Sequence, residues 1–197
     1  MTDPIDSRER IALCDLLLEL GPDAPTLCEG WTTADLAAHL VLREHFHRWS
    51  DAQRAVEKAK GLPAMVARLR AGAPLIPWRL PRIRDVVNGL EYFIHHEDVR
   101  RANGREPRAP RADLEALAWR MTGFSARRLA RRIRPYGLEL VRPGGQRRRY
   151  GSGDTATLSG AATELTLYLG GRRSTARVTL GGAADAVAAV RRSTVTL

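Results

Sequence analysis

Apolar residues recur every three or four positions through most of the first 133 residues, which is the spacing of amphipathic helices. The pattern predicts a short helix over 62–71 and four main helices, over 5–20, 32–59, 82–102 and 111–133. Thr32, with Asp35 three residues later, predicts a capping box at the start of the second main helix. A proline-rich loop is predicted before the third main helix, at Pro74, Pro77 and Pro81.

Beyond Pro135 the apolar segments become short and are separated by glycine turns, which is typical of strands. The pattern predicts strands over 138–141, 147–150, 155–158, 177–180 and 193–197, and helices over 160–169 and 183–191. We therefore predict a mainly α chain with an α+β part. A helical domain spans 1–134, and a small α+β domain spans 135–197.

Two stripes of side chains run along the third main helix. The apolar stripe consists of Ile83, Val87, Leu90 and Ile94, and the polar stripe consists of Asn88, Glu91, His95 and Asp98. Because the polar residues are spaced 3-4-3, they share one helix face at the edge of the predicted core. Glu91 and His95 can therefore converge on one point, and Asp98 can orient His95 through its other ring nitrogen.

The second main helix carries a histidine on its apolar face, which consists of Leu36, His39, Leu42, Phe46 and Trp49. His39 alone is as readily a hydrogen-bonded core residue, and Glu91 with His95 alone can be a surface pair. Together in a helical bundle they form a His-Glu-His set, which is a ligand set of catalytic zinc with one position left for water or substrate. The other histidines, His45, His47 and His96, are turned away from this face, and we interpret them as solvated or as neighbours of the ligands.

The chain is strongly basic, with a net charge of +10 and only two lysines, Lys58 and Lys60. Such a charge attracts anions, including nucleic acid. An arginine-for-lysine bias is also typical of GC-rich genomes, and the arginine-rich segment 127–134 lacks interleaved aromatic residues for base stacking. We therefore expect anionic small molecules as partners and consider nucleic acid unfavoured.

Cysteine content and hydropathy limit where the chain can act. Two cysteines are too few for a disulfide framework. Cys14 lies on an apolar helix and is predicted to be buried, whereas Cys28 lies in a loop. No apolar run approaches the roughly 20 residues of a membrane span, and the polar N-terminus does not resemble a signal peptide. We expect a cytoplasmic protein without a membrane partner, either monomer or homodimer.

Three segments resemble the DinB-like metal-binding superfamily and, more closely, the actinobacterial mycothiol-dependent maleylpyruvate isomerase family. They are CEGWTTADLAAHLVLRE with Trp31, Thr32 and His39, NGLEYFIHHEDVRRANG with Glu91, His95 and Asp98, and LSGAATELTLYLGGR near the C-terminus. The resemblance covers most of the chain. It implies a DinB-like four-helix bundle followed by a small domain similar to a sterol-carrier protein.

The same resemblance implies a function. The ligands of zinc, or of another divalent metal, are His39, Glu91 and His95, and the cosubstrate is mycothiol, a small thiol. Arg172 is the best positional match for an arginine that holds the anionic substrate, although Arg173 stands next to it. The implied activity is thiol transfer or isomerisation of a small anionic electrophile, with no catalytic residue assigned. A metal-dependent hydrolase and a metal-binding module without catalysis are the alternatives.

Overall fold

A computed structural model describes residues 3–45, 50–72, 81–109 and 111–193, except for the side chains of residues 45 and 81–87. The chain divides into two compact units, Met1–Ala109 (unit 1) and Pro110–Leu197 (unit 2). Pro74 and Pro77, Phe46, His47 and Trp49, and the predicted strand over 193–197 except Ser193 fall outside the described residues.

The named elements in the described part of unit 1 are all α-helices. Its helices are α1 Ile5–Leu20, α2 Thr33–His45, α3 Asp51–Lys58, α4 Leu62–Ala71 and α5 Pro81–Ala102. The core lies where α1 packs against α4 and α5 and where α2 packs against α4. Each helix contributes apolar side chains three or four positions apart, such as Leu13 and Leu17 of α1 and Met65 and Leu69 of α4.

The second predicted helix is divided in the structure. The predicted capping box at its start is confirmed, since the Thr32 backbone N–H donates to Asp35 at 3.1 Å and the Asp35 N–H donates to the Thr32 hydroxyl at 3.4 Å. The prediction of one continuous helix to residue 59 is wrong. Ser50 adopts an extended backbone and forms a second capping box with Gln53, which begins α3. A side chain that satisfies the first backbone N–H groups favours a helix start over helix continuation.

Unit 2 combines three described helices with a four-stranded sheet. The helices are α6 Ala112–Arg132, α7 Ala162–Leu169 and α8 Ala184–Arg192, and the strands are β1 Gly137–Val141, β2 Arg147–Tyr150, β3 Thr155–Ser159 and β4 Thr179–Gly182. The strand order is β2-β1-β3-β4, with β1 parallel to β3 and the other two pairs antiparallel. A mainly helical chain with a small α+β part is therefore confirmed.

The last described strand lies two residues later than the predicted range of 177–180. Gly182 pairs with Ala156 at a φ of +104°, and an added Cβ would lie 2.3 Å from the Thr155 carbonyl oxygen. Only glycine fits this close approach, so the strand extends into a Gly-Gly pair that lies beyond the predicted strand.

Helix α6 packs against α7, β1 and β2, and the two compact units divide between Ala109 and Pro110. The sequence pattern predicts the domain boundary after residue 134, where the first strand approaches. The pattern detects a change in secondary structure, which need not coincide with a change in packing. The limits of independently folding domains stay a prediction. Within the described ranges, no helix is both long and apolar enough to cross a membrane.

Candidate metal centre

Three side chains from two helices of unit 1 meet at one point. His39 extends from α2, and Glu91 and His95 extend from successive turns of α5. Glu91 Oε1 lies 3.7 Å from His39 Nε2 and 3.4 Å from His95 Nε2. One potential ligand atom from each of the three residues lies within 4.8 Å of the other two. The structure thus brings together the three residues that the sequence pattern predicts as metal ligands.

The helix faces explain this convergence. His39 lies on the same side of α2 as Leu36 and Leu42, which are buried in unit 1. On α5, the four-residue spacing of Glu91 and His95 places one side chain above the other. His39 and His95 then meet with ring centroids 5.6 Å apart at an angle of 71°, so that the rings do not stack flat against each other.

The donor set fits a zinc ion. Ligands held about 2.0–2.1 Å from a tetrahedral zinc lie roughly 3.3 Å from one another, which is close to the two measured N···O distances. Two imidazole nitrogens and one carboxylate oxygen are donors that zinc accepts, and three protein ligands leave one position open. We therefore treat this set as a candidate metal centre.

Asp98 and Cys28 surround the far side of the His95 ring. Asp98 Oδ2 lies 3.0 Å from His95 Nδ1, and Cys28 Sγ lies 3.4 Å from the same Asp98 oxygen and 3.8 Å from Nδ1. A carboxylate on Nδ1 fixes the ring so that Nε2 is directed at the candidate metal position. This is the role that the sequence pattern predicts for Asp98.

Sequence reasoning missed the position of Cys28, since it lies 67 residues from His95 in the chain. Its loop docks on α5 because the Leu27 N–H donates to the Asp98 carbonyl at 3.3 Å. Thr26 closes the loop by donating from its hydroxyl to the Trp31 carbonyl at 3.0 Å. No local pattern encodes this docking.

Sequence reasoning also missed Arg43. Its Nε lies 3.1 Å from Glu91 Oε1, and its Nη1 donates to Asn88 at 2.9 Å. Arg43 is four residues beyond His39 on α2, so the helical spacing could have placed both on the same face. The guanidinium offsets the charge of Glu91 and holds the carboxylate beside the two imidazoles.

The surroundings set the protonation of the three side chains. Burial favours a neutral Glu91, but the nearby imidazoles of His39 and His95 and the charge of Arg43 outweigh it and hold the pKa of Glu91 well below its usual range. Burial lowers the pKa of His39. Burial also acts to lower the pKa of His95, but Asp98, Cys28 and Glu91 together raise it well above its usual value.

The remaining predicted residues of unit 1 give a mixed outcome. Cys14 is buried as predicted, and burial raises the pKa of its thiol to about 11. His96 is not solvated. It is 4% exposed, and burial together with nearby arginines lowers its pKa to about 3. The side chains of His45 and His47 lie outside the description.

The two arginines that the sequence left open in unit 2 differ in their contacts. Arg173 donates to the Val190 and Ser193 carbonyl oxygens at 2.9 and 2.6 Å, which ties it to the end of α8. The Arg172 guanidinium donates to the nearby Gly170 carbonyl at 2.6 Å. Both arginines thus have contacts within unit 2, and the assignment of Arg172 to the substrate stays a prediction.

Comparisons with known proteins find a match in fold but none in sequence. No protein-family profile matches the chain, and no curated protein is significantly similar in sequence. Two solved structures match in fold, and each covers 89% of this chain and 88% of its own at 18% identity. One is a mycothiol-dependent maleylpyruvate isomerase, with a TM-score of 0.60, and the other is a histidine-to-alanine variant of an enzyme of that name, with a TM-score of 0.51. The resemblance that the sequence motifs indicate is thus confirmed at the level of the fold, which this chain shares with a mycothiol-dependent maleylpyruvate isomerase.

Proposed function

We propose that this chain is a thiol-dependent isomerase or transferase that binds one zinc ion, or another divalent metal ion, through His39, Glu91 and His95. The convergence of these three side chains on one point carries the proposal. The fold shared with a mycothiol-dependent isomerase supports the use of mycothiol as the thiol cosubstrate. The same likeness supports a DinB-like bundle in the N-terminal part and a domain similar to a sterol-carrier protein in the C-terminal part.

The residues of unit 1 have distinct roles in this proposal. His39 and His95 offer Nε2, and Glu91 offers a carboxylate oxygen, to the metal. Asp98 fixes the ring of His95, and Arg43 holds Glu91 in place. When bound, a zinc ion lowers the pKa of a coordinated thiol, so that the thiolate predominates at neutral pH.

The substrate is a small anionic electrophile. A thiolate adds to an activated carbon–carbon double bond, the bond loses its double character, and rotation followed by thiolate loss gives the isomer. Arg172 would attract a carboxylate on either reactant through paired N–H donors. The fold is the observation that favours thiol chemistry over metal-activated water or a metal-binding module.

The test combines calorimetry with a turnover assay. Zinc-loaded protein is titrated with mycothiol and then assayed with maleylpyruvate, the substrate that the structural neighbour's name gives, with and without the thiol. We expect heat on adding mycothiol and turnover only when the thiol is present. Glu91→Gln should abolish both. Glu19→Gln, the same chemical change at an exposed side chain of unit 1, should leave both unchanged.

Three outcomes would contradict the proposal. Zinc binding without heat from mycothiol or thiol-dependent turnover indicates a metal-binding module. Hydrolysis of an ester or amide probe without any thiol indicates activation of water. Equal turnover in Glu91→Gln and the native protein would show that the proposed metal centre does not take part in the reaction.

A further inference from the structure

Unit 2 contains a groove lined by arginines that the proposed function does not use. Two adjoining cavities, of about 370 and 430 Å³, lie between α6 and β2 and share Arg127, Arg149 and Tyr150. We call this feature the arginine groove, and the arginines that line it are Arg120, Arg127, Arg131, Arg134, Arg148 and Arg149. It shares no residue with the metal centre.

Three of the arginines of helix α6 lie along one face. Arg120, Arg127 and Arg131 are seven and four residues apart, which is close to two turns and one turn of an α-helix. Gly123 lies in the middle of α6, where an added Cβ would stand 3.2 Å from the Tyr150 hydroxyl and 3.5 Å from an Arg127 nitrogen. The missing side chain thus lets Tyr150 and Arg127 approach the helix, at a cost in helix propensity.

Contacts inside unit 2 hold several of these guanidinium groups in place. Arg127 lies over the Tyr150 ring at 5.5 Å, and Arg148 lies over the Trp119 ring at 4.5 Å. Arg149 donates to the Gly153 carbonyl oxygen at 2.9 Å. Side chains that are ordered before binding lose less conformational entropy when a ligand arrives.

The charge of the groove is not balanced by its own lining. Within the described part of the chain, no aspartate or glutamate lines either cavity. Unit 2 as a whole has 16 arginines against six acidic residues, whereas unit 1 has 16 lysines and arginines against 16 acidic residues. A genome-wide preference for arginine over lysine acts on both units and does not explain why acidic partners are few in only one.

The shape of the groove favours a compact ligand over a nucleic acid strand. Six arginines line two concave spaces, and the nearby rings of Tyr150 and Trp119 already have arginines over them. Phe124 is the residue on which a base could stack, since it is 72% exposed three positions before Arg127. It lines neither cavity among the described residues.

We propose that the arginine groove binds a compact anion bearing several phosphate groups, with Arg127 and Arg149 as its central contacts. Each guanidinium can offer two parallel N–H donors to a phosphate. A monocarboxylate would leave most of the positive charges unbalanced, whereas a chain of two or three phosphates can meet several guanidinium groups at once. The inference does not depend on the metal centre and holds for metal-depleted protein as well.

The test titrates the full chain with inorganic tripolyphosphate in a calorimeter. We expect one binding event per chain that weakens as salt increases. The double variant R127Q/R149Q should lose about tenfold or more in affinity, since two charge-assisted contacts are removed. The matched control R191Q/R192Q removes the same charge from exposed positions of α8 and should change affinity by less than about threefold. If R127Q/R149Q fails to fold, R127K/R149K keeps the charge and should still weaken binding, since lysine cannot offer two parallel donors.

Four results would overturn the proposal. The first is no heat from tripolyphosphate at millimolar concentration, and the second is an equal loss in the two glutamine double variants. The third is citrate binding as tightly as tripolyphosphate, which assigns the groove to carboxylates. The fourth is tighter binding of a single-stranded oligonucleotide that Phe124→Ala weakens, which assigns this surface to nucleic acid.

Discussion

The two units of this chain differ in how many acidic side chains are available to pair with their arginines. In unit 1 positive charges meet buried carboxylates. Arg10 pairs with Asp6 at 3.0 Å and with Glu44 at 3.4 Å, and both acids are almost fully buried. In unit 2 acidic partners are scarce, and arginines lie over aromatic rings or donate to backbone carbonyl oxygens.

The difference separates arginines that stabilise the fold from arginines that remain available to a ligand. A buried carboxylate is tolerated only with a partner, so each arginine of unit 1 that provides one is part of the fold. The candidate metal centre has the same arrangement, since Arg43 and both histidines surround the carboxylate of Glu91. Exposed arginines without nearby acids contribute little to folding, and they remain available to an anionic ligand.

The largest expected effect comes from removing a charge of unit 1. Arg10→Met leaves Asp6 and Glu44 buried without their shared cation, and we expect a loss of about 3–5 kcal/mol in the free energy of unfolding. Urea unfolding followed by circular dichroism measures this loss. A change below about 1 kcal/mol would mean that these ion pairs are not structural.

A smaller effect is expected beside the candidate metal centre. Asp98→Asn keeps the size of the side chain but removes the charge that orients His95. We expect zinc affinity to fall by about 10- to 100-fold with one ion still bound per chain. Competition with a chelator measures the affinity. Native-like affinity in this variant would show that Asp98 does not orient His95 for metal binding.

In unit 1, the stabilising contribution of the Glu57 carboxylate is expected to depend on pH. It receives hydrogen bonds from Lys60 at 2.7 Å and from Arg68. Burial acts to raise the pKa of Glu57, but these two bonds outweigh it and lower the pKa. A carboxyl with a lowered pKa stabilises the fold above its unfolded pKa, and that contribution is lost as the pH falls through the folded pKa.

We therefore expect Glu57→Gln to lower the free energy of unfolding by about 1–2 kcal/mol at neutral pH. The difference from the native protein should shrink once the pH falls below about 4. Urea unfolding across this pH range measures both values. A difference that stays constant with pH would show that the charge of Glu57 is not what stabilises α3 and α4.

The smallest effect is expected in unit 2. The exposed residues Arg120 and Arg131 line the arginine groove with no acidic partner in its lining. Arg120→Gln and Arg131→Gln should each change the free energy of unfolding by less than about 0.5 kcal/mol. A loss as large as that expected for Arg10→Met would show that unit 2 uses its arginines structurally, and the contrast between the units would fail.

Local periodicity predicted the helices and the strands before residue 193. Each of these elements buries one face, and the apolar residues of that face recur with the period of a helix or a strand. His39, Glu91 and His95 could be selected for the same reason, since two of them share a helix face and the third interrupts an apolar one. The interruption before α3 escaped prediction because the side chain of Ser50 outweighs the surrounding helical pattern.

The contacts that join distant segments could not be read from the sequence. Cys28 reaches Asp98 only because its loop docks on α5, and the division at Ala109 depends on how α6 packs. Phe124 lies just before the segment 127–134, so a search for aromatic residues limited to that segment missed it. Its exposure becomes evident only when the packing of α6 is known.

We propose that two helices of unit 1 hold one metal ion between three side chains. The most direct test is calorimetric titration of metal-depleted protein with zinc, comparing the native chain with His39→Ala, Glu91→Ala and the surface control Glu19→Gln. The account predicts one ion bound per chain in the native protein and in Glu19→Gln, and no stoichiometric binding in the two site variants. One ion bound with unchanged affinity in His39→Ala and Glu91→Ala would contradict it.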